Sequence, residues 1–338
     1  MNKKQLGAVL AAVALFCATG YLGAQSAQTV NASRSASVTE YALPFSAALS
    51  ASGAVDDFPD TPFLAELDIS GEIGPTTVQS AYVSGGYDHD LYMDLLDQLM
   101  DNSENKGVLL YIDSPGGTVY ESDELYLKLL EYKETTKRPV YAYFAAEACS
   151  GGYYIAMAAD EIYANRNAWT GSIGVIISLL NYKELSEKIG VRSVDITSGR
   201  NKTMGSGFDD LTDEQREILQ SMVNEAYAQF VDIVAAGRKL ERERVLELAD
   251  GRIYTAQQAL DLKLIDHIAG EESAVDEILK KCGLEPDAEI YLPARESAFG
   301  FLNSFLYRAA ELRPKSELEL FRELVNDKRN GALMYYAG

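Results

Sequence analysis

Imidazole is nearly absent: the 338 residues include two histidines. His89 lies in an early helical region and His267 far downstream in Leu264-Ile265-Asp266-His267-Ile268, neither in a glycine-flanked loop. A Ser-His-Asp arrangement is therefore not expected. Cysteine is scarce as well. Cys17, Cys149 and Cys282 make no disulfide framework, could form at most one bridge, and are not spaced as metal ligands. No metal and no cofactor is expected. Positive charge is also in deficit, with 30 Lys and Arg against 51 Asp and Glu and a formal net charge of −21. That balance disfavours nucleic acid and anionic membrane surfaces as partners, because both would repel the chain. It reads mainly as a soluble acidic exterior.

Against these shortages, hydrophobic residues make up 47% of the chain, enough to bury a substantial core. One large α/β domain with appendages is expected. Lys3 and Lys4 precede the uncharged run Leu6 to Ala24, 19 residues. At about 1.5 Å per residue this spans roughly 28 Å, close to the hydrocarbon thickness of a bilayer. A retained transmembrane helix is the expectation, since a cleaved signal peptide usually has a shorter apolar core of about 7–15 residues. The small residues around Gly23-Ala24-Gln25-Ser26-Ala27 keep cleavage open. Either way the domain is expected outside the cytoplasm, as a single-pass protein of the cell membrane if the helix is kept. Residues 1–25 thus form the anchor or signal segment. Residues 26–62, rich in Ala, Ser, Thr and Asp and ending on Pro59 and Pro62, form a flexible linker.

Residues 63–290 alternate between strand and helix patterns. Strands are expected at 63–69, 108–112, 140–144, 162–164, 174–177 and 194–196. Helices are expected near 90–100, 121–133, after Ser150, near 182–189, over a long stretch 213–248, and from about Thr255. Repeated β-α-β units imply a largely parallel sheet flanked by helices. Residues 291–338 form a C-terminal extension, with an amphipathic piece at Phe301, Leu302, Phe305 and Leu306 and an apolar end, Leu333-Met334-Tyr335-Tyr336-Ala337-Gly338.

Ala148-Cys149-Ser150-Gly151-Gly152 places a serine after a strand and at the start of an apolar helix. Helix-initiating N–H groups would stabilise an alkoxide or oxyanion there, although a serine in that place also serves as an ordinary helix cap. The following glycines let a substrate backbone approach closely. A second glycine loop, Asp113-Ser114-Pro115-Gly116-Gly117, follows a neighbouring strand, and the two could jointly build an oxyanion hole. A plain tight turn is the other reading. Lysine can act as base in place of histidine when an apolar pocket keeps it neutral. Lys202, in Ser198-Gly199-Arg200-Asn201-Lys202-Thr203-Met204-Gly205, is the candidate, or else a solvated loop lysine.

Five motifs in order resemble the signal peptide peptidase A family, Ser/Lys peptidases of the ClpP/crotonase superfamily. They are Ile112-Asp113-Ser114-Pro115-Gly116-Gly117, Ser150-Gly151-Gly152-Tyr153-Tyr154, Thr170-Gly171-Ser172-Ile173-Gly174-Val175, Lys202 before Gly205-Ser206, and Gly251-Arg252-Ile253-Tyr254-Thr255. The resemblance covers roughly residues 63–269. It implies a ClpP/crotonase-like fold, with Ser150 as nucleophile, Lys202 as general base, and Ser172 positioning the lysine amine. It also implies oxyanion donors at Gly117 and Gly151, and pocket side chains such as Tyr153 and Val175. Gly207 departs from the pattern, in which many relatives carry proline. The implied substrates are remnant signal peptides and other short apolar peptides. The implied assembly is a homo-oligomeric ring, an octamer, in which Ser150 of one subunit meets Lys202 of its neighbour. Two other readings compete: a non-catalytic crotonase-like scaffold, and an acyl-CoA hydratase or isomerase. Export and the Ser/Lys pair count against the second. The apolar C-terminal end itself looks like a substrate and has two readings, a self-inhibitor that enters an active site or, the one favoured, a simple disordered tail.

Overall fold

The computed structural model describes residues 58–76, 86–293 and 333–336. The expected anchor, nearly all of the linker and the amphipathic piece of the extension lie outside the described residues. Among the described residues no helix is long and apolar enough to cross a membrane.

Apolar alternation becomes sheet as expected. β1 (Phe63–Ser70), β2 (Asn105–Ser114), β4 (Val140–Cys149), β5 (Glu161–Ala164) and β9 (His267–Ile268) lie side by side in parallel, and β10 (Ile290–Tyr291) adds parallel to the outer edge of β1. A short strand β6 (Trp169–Gly171) pairs parallel with the far end of β4 and antiparallel with β8 (Ile253–Thr255). The result is the mixed α/β, largely parallel architecture that the β-α-β pattern demands.

Strand periodicity divides two cores. Ala65, Leu67 and Ile69 of β1 and Val108, Leu110 and Ile112 of β2 point to one face. They are covered there by α1 (His89–Asp101), α2 (Val119–Thr136), α3 (Gly151–Ala156) and α5 (Asp213–Arg238). Leu64, Leu109, Tyr141 and Tyr143 point to the other, beneath α8 (Glu271–Lys281). Each fully buried Leu or Ile removes enough apolar surface from water to stabilise the fold by about 1.5–3 kcal/mol.

Two expectations fail for local reasons. The helical pattern of 213–248 is broken, because Lys239 takes a left-handed conformation (φ 53°) and ends α5 before α6 (Arg242–Leu248). The start of α5 is firmly defined by a reciprocal capping box between Thr212 and Gln215. The expected strand at 194–196 does not form. Val194 and Ile196 are 86% and 99% exposed, and the segment after α4 (Lys183–Ile189) pairs with no strand among the described residues.

A second, smaller sheet matters most for the site. β3 (Gly116–Thr118), β11 (Leu333–Tyr336) and β7 (Ile176–Ile177) form an antiparallel ribbon with β11 in the middle.

Candidate active site

β4 is longer than its apolar core requires. Its first half pairs with β5; its last residues, Glu147-Ala148-Cys149, switch to β6. This carries Ser150 past the edge of the β4–β5 pairing, where its N–H donates to the Gly171 carbonyl at 2.8 Å. The next residue, Ser172, is 6% exposed, has φ 49°, and is held by its own N–H on the Arg252 carbonyl at 2.8 Å. Backbone bonds thus bring Ser150 and Ser172 to the same corner of the fold.

Ser150 has φ 51° and ψ −113°, an unfavourable backbone for a residue with a Cβ. It is fully buried, and its Oγ is the one buried side-chain polar atom among the described residues without a hydrogen-bond partner. Its side chain makes no cap hydrogen bond to α3, which removes the ordinary reading of a serine at that place. Strain and an unmade hydrogen bond each cost free energy and persist where other contacts impose them. Ser150→Gly relieves both and is expected to raise stability to urea by about 1–3 kcal/mol, measured as a shift in midpoint at constant slope; a lower midpoint would show that the backbone there is unstrained.

The glycine loops converge on this serine. Ser114 Oγ accepts from the Gly116 N–H at 3.1 Å and donates to the Gly71 carbonyl at 2.6 Å, bracing the first loop. A Cβ at Gly151 would lie 3.1 Å from the Gly117 nitrogen, so the two expected oxyanion donors are neighbours. A Cβ at Gly117 would lie 1.8 Å from the Ile73 carbonyl oxygen, which is why that position has no side chain.

β11 occupies the groove over these loops. Ile73 takes the backbone groups on one side of β3: its N–H donates to the Gly116 carbonyl (2.8 Å) and its carbonyl accepts from the Thr118 N–H (2.9 Å). Because successive strand residues point their backbone groups in opposite directions, those of Gly117 face β11, where Tyr335 is in register with Gly117. The Tyr335 carbonyl oxygen lies 2.3 Å from where a Gly116 Cβ would be, a point also 2.9 Å from the Ser150 Cβ and 2.8 Å from the Gly151 nitrogen. The Tyr335 carbonyl is therefore beside both the nucleophile candidate and the expected oxyanion donors.

Other expected residues are placed differently. Tyr153 is buried in the main core, edge-on to Phe144, with its hydroxyl donating to the Leu264 carbonyl at 2.8 Å. Tyr154, the next residue, is the one that meets β11. Val175 immediately precedes β7, against the strand's other edge. Lys202 is exposed in a turn, its N–H on the Gly199 carbonyl at 3.1 Å, and it makes no hydrogen bond to Ser150 of the same chain. Cys149 is buried; desolvation, reinforced by Glu147, pushes its thiol far above the ordinary range, so a thiolate is disfavoured. His89 is held by Tyr87 (2.6 Å) and Glu124 (2.8 Å), and His267 by Glu161 (2.8 Å), leaving neither on Ser150. Among the described residues no group of His, Cys, Asp and Glu could hold a metal ion.

Residues 132–285 match the profile of Peptidase family S49, and residues 80–176 match that of Clp protease. A protein of Enterococcus faecium, provisionally named signal peptide peptidase SppA, is 38% identical over 243 residues, 72% of this chain and 70% of that one. A provisionally named protease of Synechocystis sp., slr0021, is 45% identical over 188 residues, 56% of this chain and 67% of its own length. Protease 4 of Haemophilus influenzae is 30% identical over 218 residues, 63% of this chain and 35% of that longer protein. With a serine nucleophile candidate set between two glycine loops on a ClpP-like sheet, and a relative matched over most of both chains, this chain belongs to the signal peptide peptidase A group of serine proteases, peptidase family S49.

Proposed function

We propose that the chain is an endopeptidase that cleaves remnant signal peptides and other short apolar peptides with a Ser150/Lys202 dyad. The observation that carries this reading is the buried, unpartnered Ser150 hydroxyl beside a strand whose carbonyl is in register with Gly117. A peptide laid like β11 would present its carbonyl carbon to Ser150 Oγ. A neutral Lys202 amine takes the hydroxyl proton as the O–C bond forms, and the N–H groups of Gly117 and Gly151 stabilise the oxyanion. Breakage of the C–N bond, with that proton passed to the leaving amine, gives the acyl-enzyme; water then releases the acyl group. Ser172 orients the lysine.

The base comes from a neighbouring subunit in a ring, an octamer. Three features support this: the Ser150 hydroxyl lacks a partner in its own chain, Lys202 is exposed, and the segment leading to Lys202 presents Leu185, Ile189, Val194 and Ile196 to solvent. A neighbour covering those side chains would also desolvate the lysine, as a neutral amine requires. The Leu6–Ala24 run supports anchorage in the cell membrane with the catalytic domain outside the cytoplasm.

Labelling by a fluorophosphonate tests the nucleophile, and is expected on Ser150 and absent from Ser150→Ala. Mixing Ser150→Ala with Lys202→Ala protein under subunit exchange tests the sharing. Part of the activity should return, and none after proven exchange would rule out a base from the neighbour.

A further inference from the structure

Lys202 sits in a turn that is held at both stems. On the incoming side Arg200 pairs with Glu214 Oε1 at 2.5 Å and Asn201 Nδ2 donates to the same oxygen at 3.5 Å, which ties that stem to the first turn of α5. On the outgoing side the ties run to the residues that open α4. The Tyr182 N–H donates to the Gly207 carbonyl at 2.9 Å, the Tyr182 ring meets Phe208 edge-on with centroids 4.7 Å apart, and Asn181 Nδ2 donates to Asp210 Oδ1 at 3.0 Å. Lys183 Nζ completes the group at 2.6 Å from Asp210 Oδ2, a bond that holds the Asp210 carboxyl below its ordinary range.

Gly207 is what lets the two segments come so close. A Cβ there would lie 2.3 Å from Tyr182 Cε1 and 2.6 Å from the Leu180 carbonyl oxygen, so any side chain must push the turn and the 180–182 segment apart. A cleft of about 300 Å³ is lined by Thr203, Gly205 and Ser206 of the turn and by Thr212 and Gln215 at the start of α5. The turn therefore takes its position from its stems and not from solid packing on that side.

We propose that Gly207, Tyr182 and Asp210 are positioning residues that act through Lys202: they clasp its turn to the start of α4 and so fix where the amine is presented. The inference rests on the proposed Ser150/Lys202 reading for its meaning in catalysis, and on these contacts alone for the clasp. The steric fit at Gly207 is the dominant part. Lys183 and Asp210 are 36% and 70% exposed, and pairs so open to water contribute little. A displaced base loses rate steeply, because it must stay within hydrogen-bond reach of the proton it takes.

Two measurements test it. The first needs no catalysis: amide hydrogen exchange at Tyr182 in full-length Ser150→Ala protein. Adding Gly207→Ala is expected to speed that exchange about 3- to 10-fold, and an unchanged rate would overturn the clasp. The second joins kinetics to subunit mixing. Gly207→Ala is expected to lower kcat by about 10- to 100-fold with KM within about 2-fold. Asp210→Ala should lower it by about 2- to 5-fold, with recovery when Lys183→Asp is combined with Asp210→Lys. On subunit exchange Gly207→Ala should regain activity with Ser150→Ala protein, which lends an intact lysine, and gain none with Lys202→Ala protein. Recovery with both, or with neither while Ser150→Ala and Lys202→Ala complement each other, would overturn action through Lys202. No activity in that control mixture, alongside faster Tyr182 exchange, would overturn the shared site and leave the clasp standing.

Discussion

Ser150→Ala is expected to lower the turnover of a fluorogenic apolar peptide by at least about 10³-fold, and Lys202→Ala and Lys202→Arg to do the same, because residues that act as one unit fail together. The arginine variant separates base from charge. A guanidinium does not release its proton in a protein, so it cannot accept one from serine, whereas it would serve as well as lysine if the role were only to attract a carboxylate. The pattern expected is therefore three inactive proteins that keep the circular dichroism and oligomer size of the unsubstituted one. Equal rates in all of them would sink the mechanism. Cys149→Ser is the companion control: a buried thiol whose thiolate is disfavoured has no part in the reaction, and its replacement should leave most of the activity in place.

Deleting residues 331–338 is expected to raise kcat/KM for a small peptide by about 10- to 100-fold. β11 takes both edges that a peptide would use under the proposed function, pairing with Gly116-Gly117-Thr118 on one side and Ile176-Ile177 on the other, with Tyr335 buried. Burying one aromatic side chain contributes about 1.5–3 kcal/mol, which corresponds to a groove open in only about one molecule in 10 to 100. The gain should appear in KM more than in kcat, since a substrate at high concentration displaces the strand. Steady-state kinetics on both forms, at matched subunit concentration, would read it. A deletion that left kcat/KM unchanged would mean that β11 opens too readily to matter.

The sheet was legible where a residue's fate depends on its near neighbours in sequence. The alternation in Phe63-Leu64-Ala65-Glu66-Leu67 and the apolar run of 108–112 specify strands buried on two faces, and that is where they lie. The same reasoning misleads at 194–196, where β-branched residues have no strand to pair with, and at Lys239, where a left-handed turn interrupts a sequence with good helical composition. The corner holding Ser150, Ser172 and the two glycine loops could be read from motif order. Its occupant could be suspected from composition, but its register could not, because β3, β7 and β11 are brought together from three distant parts of the chain. Nor does sequence tell Tyr153 from Tyr154. They are adjacent residues of one short helix, one turned into the core against Phe144 and the other towards the groove.

β11 is covalently part of the protein it obstructs, and this sets how it competes. A tethered segment acts at an effective concentration on the order of millimolar, whatever the amount of protein in solution. Dilution cannot relieve it. If the chain cleaves peptides as proposed, a free peptide must reach comparable concentration or bind more tightly than Leu333-Met334-Tyr335-Tyr336 does, so occasional encounters at low abundance would go unanswered while an accumulation would be cleared. Under the proposed function the strand would work as a threshold, set by the sequence of residues 333–336.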